Sequence, residues 1–445
     1  MIVALLAIAA VLLLALVAVG KIPLSYNIRN LTIRWKTTVL SALAFTAVIG
    51  LLTVMMAFVH GMNRLTEGTG QPGNVIVLSD GATDEVISNL TVSDLSEIEH
   101  LPSVVRQDGR PLASRETFLV VPQLMSDAAS GRPKRRFLQL RGIEDPQLTA
   151  GVHNLELLPG GHWFSEAGVE AASSAGKNST AAAPLIQAVL GEGVAGELAR
   201  GRSQSELAAA KNPRRLDIGD TFVLRERTWI VVGILKSAGS TFNSEIWAKR
   251  SLAASLFGKN TYTTLVLRTA DASAAKDLKK LLSKDYKNAA VNAQVETEYY
   301  EGLSNTTAQF SWAIGFLAIV MSVGGIFGVM NTMFAAISQR TKDIGVLRLL
   351  GYARWQILVS FLLESLVIAL VGGLLGCLLG WLTDGWTATS LVGGTGGGGK
   401  SVVLQLAVSP NIIATGILLT LLMGLLGGLL SALSAMRMKP LDALR

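Results

Sequence analysis

The sequence predicts a protein in two unlike parts: a bundle of membrane-crossing helices, and a mixed α+β domain outside the membrane. Half of the 445 residues are apolar and only 16% are charged, a balance that is unusual for a soluble protein of this length. The apolar residues gather into five stretches, each long enough to cross about 30 Å of hydrocarbon. Between the second and the third stretch lie about 250 residues of ordinary polarity, where strand-like and helix-like patterns alternate.

The five candidate crossings are 2–20, 37–59, 310–336, 356–381 and 411–435. The first could be read as a signal peptide, but no Lys or Arg precedes it and no small-x-small cleavage site follows it. A basic residue before the apolar stretch and a small-x-small cleavage site after it are the usual features of a cleaved signal peptide. We therefore expect residues 1–20 to form an uncleaved transmembrane helix.

Basic residues at the ends of the crossings predict the orientation, because Lys and Arg in short loops are retained in the cytoplasm. The connector 21–36 has four basic residues and no acid, segment 337–355 has four against one acid, and the tail 436–445 has three against one acid. All three should be cytosolic. The Gly-rich loop 382–410, with one Lys and one Asp, and the stretch 61–309 should then lie outside.

The stretch 61–309 reads as one α+β domain. Strands are predicted at 74–78, 136–141, 221–225, 228–232 and 261–268, and the third and fourth are close enough to form a hairpin. Helices are predicted at 93–101 and 272–284 from the spacing of their leucines and isoleucines.

Two further segments of this domain are neither predicted strands nor predicted helices of its core. Residues 170–184 are small and polar, which indicates a flexible surface excursion. The segment after 285 leads directly into the third crossing, so the helix 310–336 is expected to continue outward as a stalk.

A Gly-rich motif in the short external loop matches the pattern of a phosphate-binding loop, G-x-x-x-x-G-K-[ST]. It runs from Gly394 through Lys400 to Ser401. A working phosphate loop follows a buried strand and opens a helix, whereas here a β-like segment follows and the loop is too short for a nucleotide fold. We interpret the motif as a flexible turn and expect no bound cofactor.

The segment between the third and fourth crossings predicts a short amphipathic helix followed by a glycine turn. Ile344, Leu347 and Leu350, with Val346, would form an apolar face. The polar face would carry Arg340, Lys342, Asp343 and Arg348. Such a helix can dock into a groove of a cytosolic partner. Periodicity alone favours a charged interfacial loop that only ends the helices.

Nothing in the sequence indicates catalysis or a metal site. The four histidines, His60, His100, His153 and His162, are scattered, and the single Cys377 lies in an apolar run. Glu364 lies within the fourth crossing, where a carboxylate is costly. We expect it near the inner interface, hydrogen-bonded to a neighbouring helix, although a part in translocation is also consistent with its position.

The segment Gln339-Arg-Thr-Lys-Asp-Ile-Gly-Val-Leu-Arg-Leu-Leu-Gly351 resembles the coupling-helix segment of FtsX-like ABC transporter permeases. The tail Lys439-Pro-Leu-Asp-Ala-Leu-Arg445 resembles the ending of the same proteins, and Asn27 to Thr38 resembles their entry segment. In the external domain, Gly161-His-Trp-Phe and Trp229-Ile-Val-Val-Gly-Ile234 are similar to the MacB-type periplasmic core. The resemblance covers roughly 27–445, and the helix 1–20 is an addition to the four helices of the family.

The resemblance implies a non-catalytic inner-membrane subunit that works as a homo- or heterodimer of permeases. It implies contact with separate cytosolic ATPase chains, which bind the ATP and Mg²⁺, and no nucleic acid partner. The positions carried over as coupling residues are Arg340, Asp343, Ile344, Gly345, Arg348 and Gly351. A periplasmic adaptor is a further expected partner.

Two functions follow from the resemblance. In the first, ATP-driven movement of the periplasmic domain exports or extracts a lipoprotein, peptide or amphiphile. In the second, the domain signals to a cell-wall hydrolase, as in FtsX-like systems. The MacB-like features favour the first.

Overall fold

The structure is a computed structural model that describes residues 29, 32–33, 35–125, 134–171, 184–202, 204–237, 240–303, 305–393 and 399–436. The predicted N-terminal helix 1–20 and most of the connector 21–36 lie outside these residues. So do most of the 170–184 excursion and the tail from 437 onward.

The described chain forms two compact units. One, called the membrane unit here, falls within Met1–His60, Gln309–Trp386 and Leu406–Arg445. The other, the external unit, comprises Gly61–Ala308 and Thr387–Gln405. The external unit has bounds close to those of the predicted stretch 61–309, and it also includes a segment of the loop 382–410.

The helices are α1 (Trp35–Glu67), α2 (Val92–Ile98), α3 (Pro146–His153), α4 (Glu192–Ala199), α5 (Gln204–Ala209), α6 (Arg250–Phe257), α7 (Ala272–Lys280), α8 (Glu296–Leu303), α9 (Asn305–Gln339), α10 (Thr341–Leu349), α11 (Arg354–Trp381) and α12 (Pro410–Met436). Within the described residues, four of them are long and apolar enough to cross a membrane: α1, α9, α11 and α12. They correspond to the second to fifth predicted crossings.

Glycines allow the membrane helices to approach closely. A Cβ at Gly372 of α11 would lie 2.5 Å from the carbonyl oxygen of Ala42 in α1, and one at Gly380 would lie 2.4 Å from a methyl group of Thr53. Thr46 of α1 donates a hydrogen bond across the helix pair to the carbonyl of Gly372, at 3.1 Å. Small residues at helix contacts and interhelical hydrogen bonds are the main sources of association in lipid.

The strands are β1 (Asn74–Ser79), β2 (Arg106–Gln107), β3 (Arg110–Pro111), β4 (Ala113–Met125), β5 (Lys134–Ile143), β6 (Val169–Glu170), β7 (Leu185–Gly191), β8 (Thr221–Leu224), β9 (Arg227–Leu235), β10 (Glu245–Lys249), β11 (Thr264–Arg268), β12 (Val291–Val295), β13 (Thr387–Gly393) and β14 (Gly399–Gln405). Ten of them form one mixed sheet in the order β12-β1-β11-β4-β5-β10-β7-β9-β8, with β6 beside β7. The pairs β5/β10 and β7/β9 are parallel and the other pairs antiparallel, so the α+β prediction is confirmed.

Two hydrophobic clusters divide the external unit into two lobes. The first lobe packs α2 and α7 on strands β1, β11 and β12, with Leu95, Leu265 and Leu278 at its centre. The second lobe packs α4 and α6 on strands β7, β9 and β10, with Leu190 and Trp229 at its centre. Strands β4 and β5 run between the lobes.

Most predicted elements of the external domain are present. The strands predicted at 74–78, 136–141, 221–225 and 228–232 are β1, β5, β8 and β9, and β8 and β9 form the predicted hairpin. The last predicted strand begins three residues later than expected, at Thr264, and the helix predicted at 93–101 ends at Ile98. The helix predicted at 272–284 is α7, continued by one wide π turn, Leu281–Asp285.

The segment after 285 differs in part from the expected stalk. It first forms β12, which pairs with β1, and then the short helix α8. The long helix α9 does begin before residue 310, at Asn305.

The Gly-rich motif lies in an antiparallel hairpin, because β13 and β14 pair from Thr387/Gln405 to Gly393/Gly399. Residues 394–398 lie outside the described residues. Lys400 stands within β14, so a strand and not a helix follows the glycines. This is not the strand–loop–helix context of a phosphate-binding loop.

Candidate coupling site

The predicted coupling segment forms a short helix between two sharp turns. Helix α9 ends at Gln339, Arg340 leaves the helical conformation, and α10 runs from Thr341 to Leu349. After the helix, Gly351 has φ of +95°, a left-handed conformation that glycine adopts without a steric penalty. The amide of Ala353 then donates to the side chain of Gln356 at 2.8 Å, which caps the start of α11.

A buried ion pair anchors the start of this segment. The guanidinium of Arg340 contacts both carboxylate oxygens of Glu364 in α11, at 2.9 and 3.2 Å. Each side chain is only 6% exposed. Two parallel charge-assisted hydrogen bonds define both distance and orientation, so α10 has a specific position relative to α11.

Apolar contacts hold the inner side of α10. Ile344 is buried in a cluster with Ile337 of α9, Ile357 and Phe361 of α11, and Ala432 of α12. The backbone of Gly345 is buried next to it. The short helix is therefore packed against three of the membrane-spanning helices of its unit.

The outer side of α10 exposes apolar side chains. Val346, Leu349 and Leu350 are 47%, 66% and 72% exposed, and they follow one another at the i, i+3, i+4 spacing of one helical face. Lys342 and Asp343 are exposed on the same side. We call these five residues the α10 outer face.

The structure corrects the predicted amphipathic pattern. Ile344 and Leu350 do not share a face, because Ile344 is buried in the bundle while Leu350 is exposed. Arg340, assigned to the polar face, is buried against Glu364. The sequence pattern failed here because the bundle accepts the Arg–Glu pair inside and leaves leucines outside.

The six predicted coupling residues thus take different positions. Arg340, Ile344 and Gly345 are buried and hold the helix, Asp343 is exposed on the outer face, and Gly351 forms the exposed turn. Arg348 is half-buried, and its Nε has no hydrogen-bond partner among the described residues. The hydrogen bond expected for Glu364 is confirmed, with Arg340 as its partner.

A second cluster, in the external unit, was not anticipated from the sequence. We call it the ionic network: Arg141, His153, Glu85, Glu116, Glu245 and Glu296, all with side chains at most 1% exposed. Arg141 of β5 contacts Glu85, Glu116 and Glu245, and His153 lies between Glu116 and Glu296. Rings of Phe118, Phe242 and Trp247 cover the guanidinium.

The charges of this network stabilise one another. Burial disfavours the charged imidazole, but Glu116 and Glu296 outweigh it and raise the pKa of His153 from 6.5 to about 10. Burial also opposes ionisation of Glu116, yet His153 and Arg141 lower the pKa of that carboxyl. His153 is therefore a charged structural residue, which its isolated place in the sequence did not reveal. Among the described residues no group of three or more His, Cys, Asp or Glu side chains is arranged to hold a metal ion.

Comparison with known families identifies both parts of the chain. The family model described as MacB-like periplasmic core domain matches residues 38–284, more than half of the chain, and the model described as FtsX-like permease C-terminal matches residues 315–440. The chain belongs to this family of permeases with a MacB-like periplasmic core and an FtsX-like membrane part. It is a multi-pass inner-membrane protein with a large domain outside the cytoplasm.

Individual relatives agree with this assignment. An uncharacterized ABC transporter permease of Bacillus subtilis, YknZ, is 31% identical over 51% of this chain and 57% of its own length. The macrolide export ATP-binding/permease protein MacB of Burkholderia lata is 24% identical over 83% of this chain and 52% of its own length. The chain thus spans about half the length of these curated relatives. The periplasmic region of MacB from Actinobacillus actinomycetemcomitans superposes on 54% of this chain with 14% identity and a TM-score of 0.33, so the assignment depends on the sequence matches.

Proposed function

We propose that this chain is the permease subunit of an ABC transport system and that a separate cytosolic ATPase binds the α10 outer face. The observation that supports this most directly is the exposure of Val346, Leu349 and Leu350 on a helix that is firmly held from behind. An exposed apolar patch on an anchored helix is typical of a protein–protein contact. Lys342 and Asp343 would provide charged contacts at its edge.

The anchoring explains how a stroke of the ATPase would reach the membrane helices. A force on α10 acts on α11 through the Arg340–Glu364 pair and on α9, α11 and α12 through the cluster around Ile344. Close-packed interiors transmit strain because they have low compressibility. Movement of α9 would then pass along the chain into the external unit.

We further propose that the assembly is a dimer of permease subunits, and that it exports or extracts a lipoprotein, peptide or amphiphile from the outer leaflet or the periplasm. The names of the MacB relatives support export over signalling to a cell-wall hydrolase. ATP and Mg²⁺ would be bound by the partner chain, and a periplasmic adaptor would complete the pathway.

The test is a pull-down of the full-length chain with the partner ATPase. Replacing Leu349 and Leu350 with Glu removes two apolar contacts worth about 1.5–3 kcal/mol each if fully buried. Binding should therefore weaken by roughly 100-fold or more. The matched control is Leu207→Glu, an exposed leucine on α5 of the external unit, which should leave binding unchanged. Equal ATPase recovery with all variants would refute the proposal.

A further inference from the structure

Glu296 occupies a special place in the external unit, where the sheet ends and the chain turns toward a membrane helix. It is the first residue of α8, directly after β12, and α8 is followed by the long helix α9. A second segment near a boundary of the external unit runs from Glu67, the end of α1, to Asn74, the start of β1. The hairpin β13–β14 joins the external unit separately. We call 68–73 and 296–303 the two connectors.

Glu296 belongs to the connector 296–303, and its carboxylate binds the connector 68–73. Its Oε2 accepts hydrogen bonds from the amide of Gln71 and from Nδ2 of Asn74, each at 2.8 Å. The backbones are in close contact as well. Gly70 has φ of +90°, and a Cβ at this glycine would lie 3.2 Å from the carbonyl oxygen of Glu296.

From Glu296 the ionic network continues into the middle of the sheet. His153 Nδ1 lies 3.0 Å from Glu296 Oε1, and His153 Nε2 lies 2.7 Å from Glu116 Oε1 on β4. Arg141 on β5 contacts Glu116, and its Nε donates to Glu245 at the start of β10 at 2.6 Å. The chain of contacts therefore runs from the edge strand β12 to the sixth strand in the sheet order, from the first lobe into the second.

Stability alone does not explain such a network. Apolar residues of similar volume often stabilise a protein as well as a buried ion pair does, since burying charge is costly. Charged hydrogen bonds differ from apolar contacts in fixing distance and direction. Strands β4 and β5 already join the lobes through backbone hydrogen bonds. The network adds side-chain contacts of defined distance across the same boundary.

We propose that Glu296 is a positioning residue that locks both connectors to the second lobe through His153, Glu116 and Arg141, so that the external unit moves as one rigid body. The purpose of this rigidity depends on the proposed function, in which a movement of the connectors has to reach the second lobe. A rigid external unit passes that movement on without loss. The rigidity itself depends on neither ATP nor a partner.

The test measures the distance between the lobes in the full-length chain in lipid nanodiscs. Spin labels are placed at exposed positions, Lys276→Cys on α7 and Thr228→Cys on β9, in a Cys377→Ser background. With Glu296→Gln the distance distribution should become about twofold wider or more, because the charge opposite His153 is lost. Glu298→Gln is the matched control: it lies on the same helix and pairs with Lys279 at the surface, so the distribution should stay narrow. An equally narrow distribution in Glu296→Gln would overturn the proposal.

A pH titration separates positioning from a general loss of structure. His153 contacts Glu116 of β4 and Glu296 of α8. Arg141 of β5 contacts Glu116, and Arg268 of β11 donates to the carbonyl of Val152, the residue before His153. In the wild type the distribution should widen as the pH rises through about 10, where His153 loses its proton. In Glu296→Gln this midpoint should fall by about one pH unit or more, while circular dichroism at pH 7 stays unchanged. No widening in the wild type, or an unshifted midpoint in the variant, would contradict the proposal. Since no ATPase is present, the result is independent of whether the proposed function holds.

Discussion

Removal of the guanidinium of Arg340 tests how the coupling segment is held. The side chains of Arg340 and Glu364 are both 6% exposed, and their contacts measure 2.9 and 3.2 Å. At about 3 Å and an effective dielectric constant of about 20, the attraction is roughly 5–6 kcal/mol before the cost of desolvation. Arg340→Ala leaves the carboxylate buried without its partner, so we expect a loss of about 3–5 kcal/mol in the free energy of unfolding.

The assay is a double-mutant cycle on the full-length chain in detergent. The free energy of unfolding of each variant is measured by denaturant titration. Arg340→Ala and Glu364→Ala should each destabilise the chain strongly, and the double variant should lose much less than the sum of the two. Lys236 and Glu156 form a matched surface pair at 3.1 Å, with side chains 64% and 69% exposed, and their cycle should give less than about 1 kcal/mol. Additive losses at Arg340 and Glu364, within about 0.5 kcal/mol, would refute the anchoring role.

Three further results are expected. First, the pKa of His153 is raised to about 10. The stability that the charged imidazole contributes is therefore complete below the unfolded pKa of about 6.5 and is lost as the pH rises through about 10. The unfolding free energy of His153→Gln should lack this alkaline decline. Second, Gly351→Ala should destabilise the turn by about 1–2 kcal/mol because φ is +95°. Third, Gly302→Ala should be neutral or stabilising by up to about 1 kcal/mol, because Gly302 lies in helix α8 with open space around it. Denaturant unfolding of the Gly351 and Gly302 variants, measured side by side, checks both values.

The membrane part of the fold was predictable because the bilayer imposes a simple rule. A crossing helix needs about 20 apolar residues, and α9, α11 and α12 follow the predicted stretches within a few residues. The extension of α9 to Asn305 was anticipated only as a stalk, since its first turns are polar and have no hydrophobic period.

The external sheet was predicted in part. Strand β8 alternates exposed and buried residues, and β9 carries a run of β-branched residues directly after it, so both were found from the sequence. Strands β7 and β10 lie inside the sheet and are buried along almost their whole length, so they show no alternation. Their pairing also joins distant parts of the chain, which local patterns do not reveal.

The candidate site shows the same limit. A helix followed by a glycine turn could be predicted from Gly351 and the spacing of the leucines. The assignment of faces could not, because it depends on the partner that Glu364 offers to Arg340 across 24 positions of sequence. The ionic network likewise forms from residues that are distant in sequence, and each of them alone resembles an ordinary surface charge.

The central claim, that the α10 outer face binds an ATPase, is tested most directly by site-specific photo-crosslinking in cells. A photoreactive residue at Leu350 on the outer face should form an adduct with an ATP-hydrolysing cytosolic protein. The same residue at Ile344, which is 3% exposed, should form none. If Leu350 crosslinks only to lipid or to a periplasmic protein, α10 is not the coupling helix and the account is contradicted.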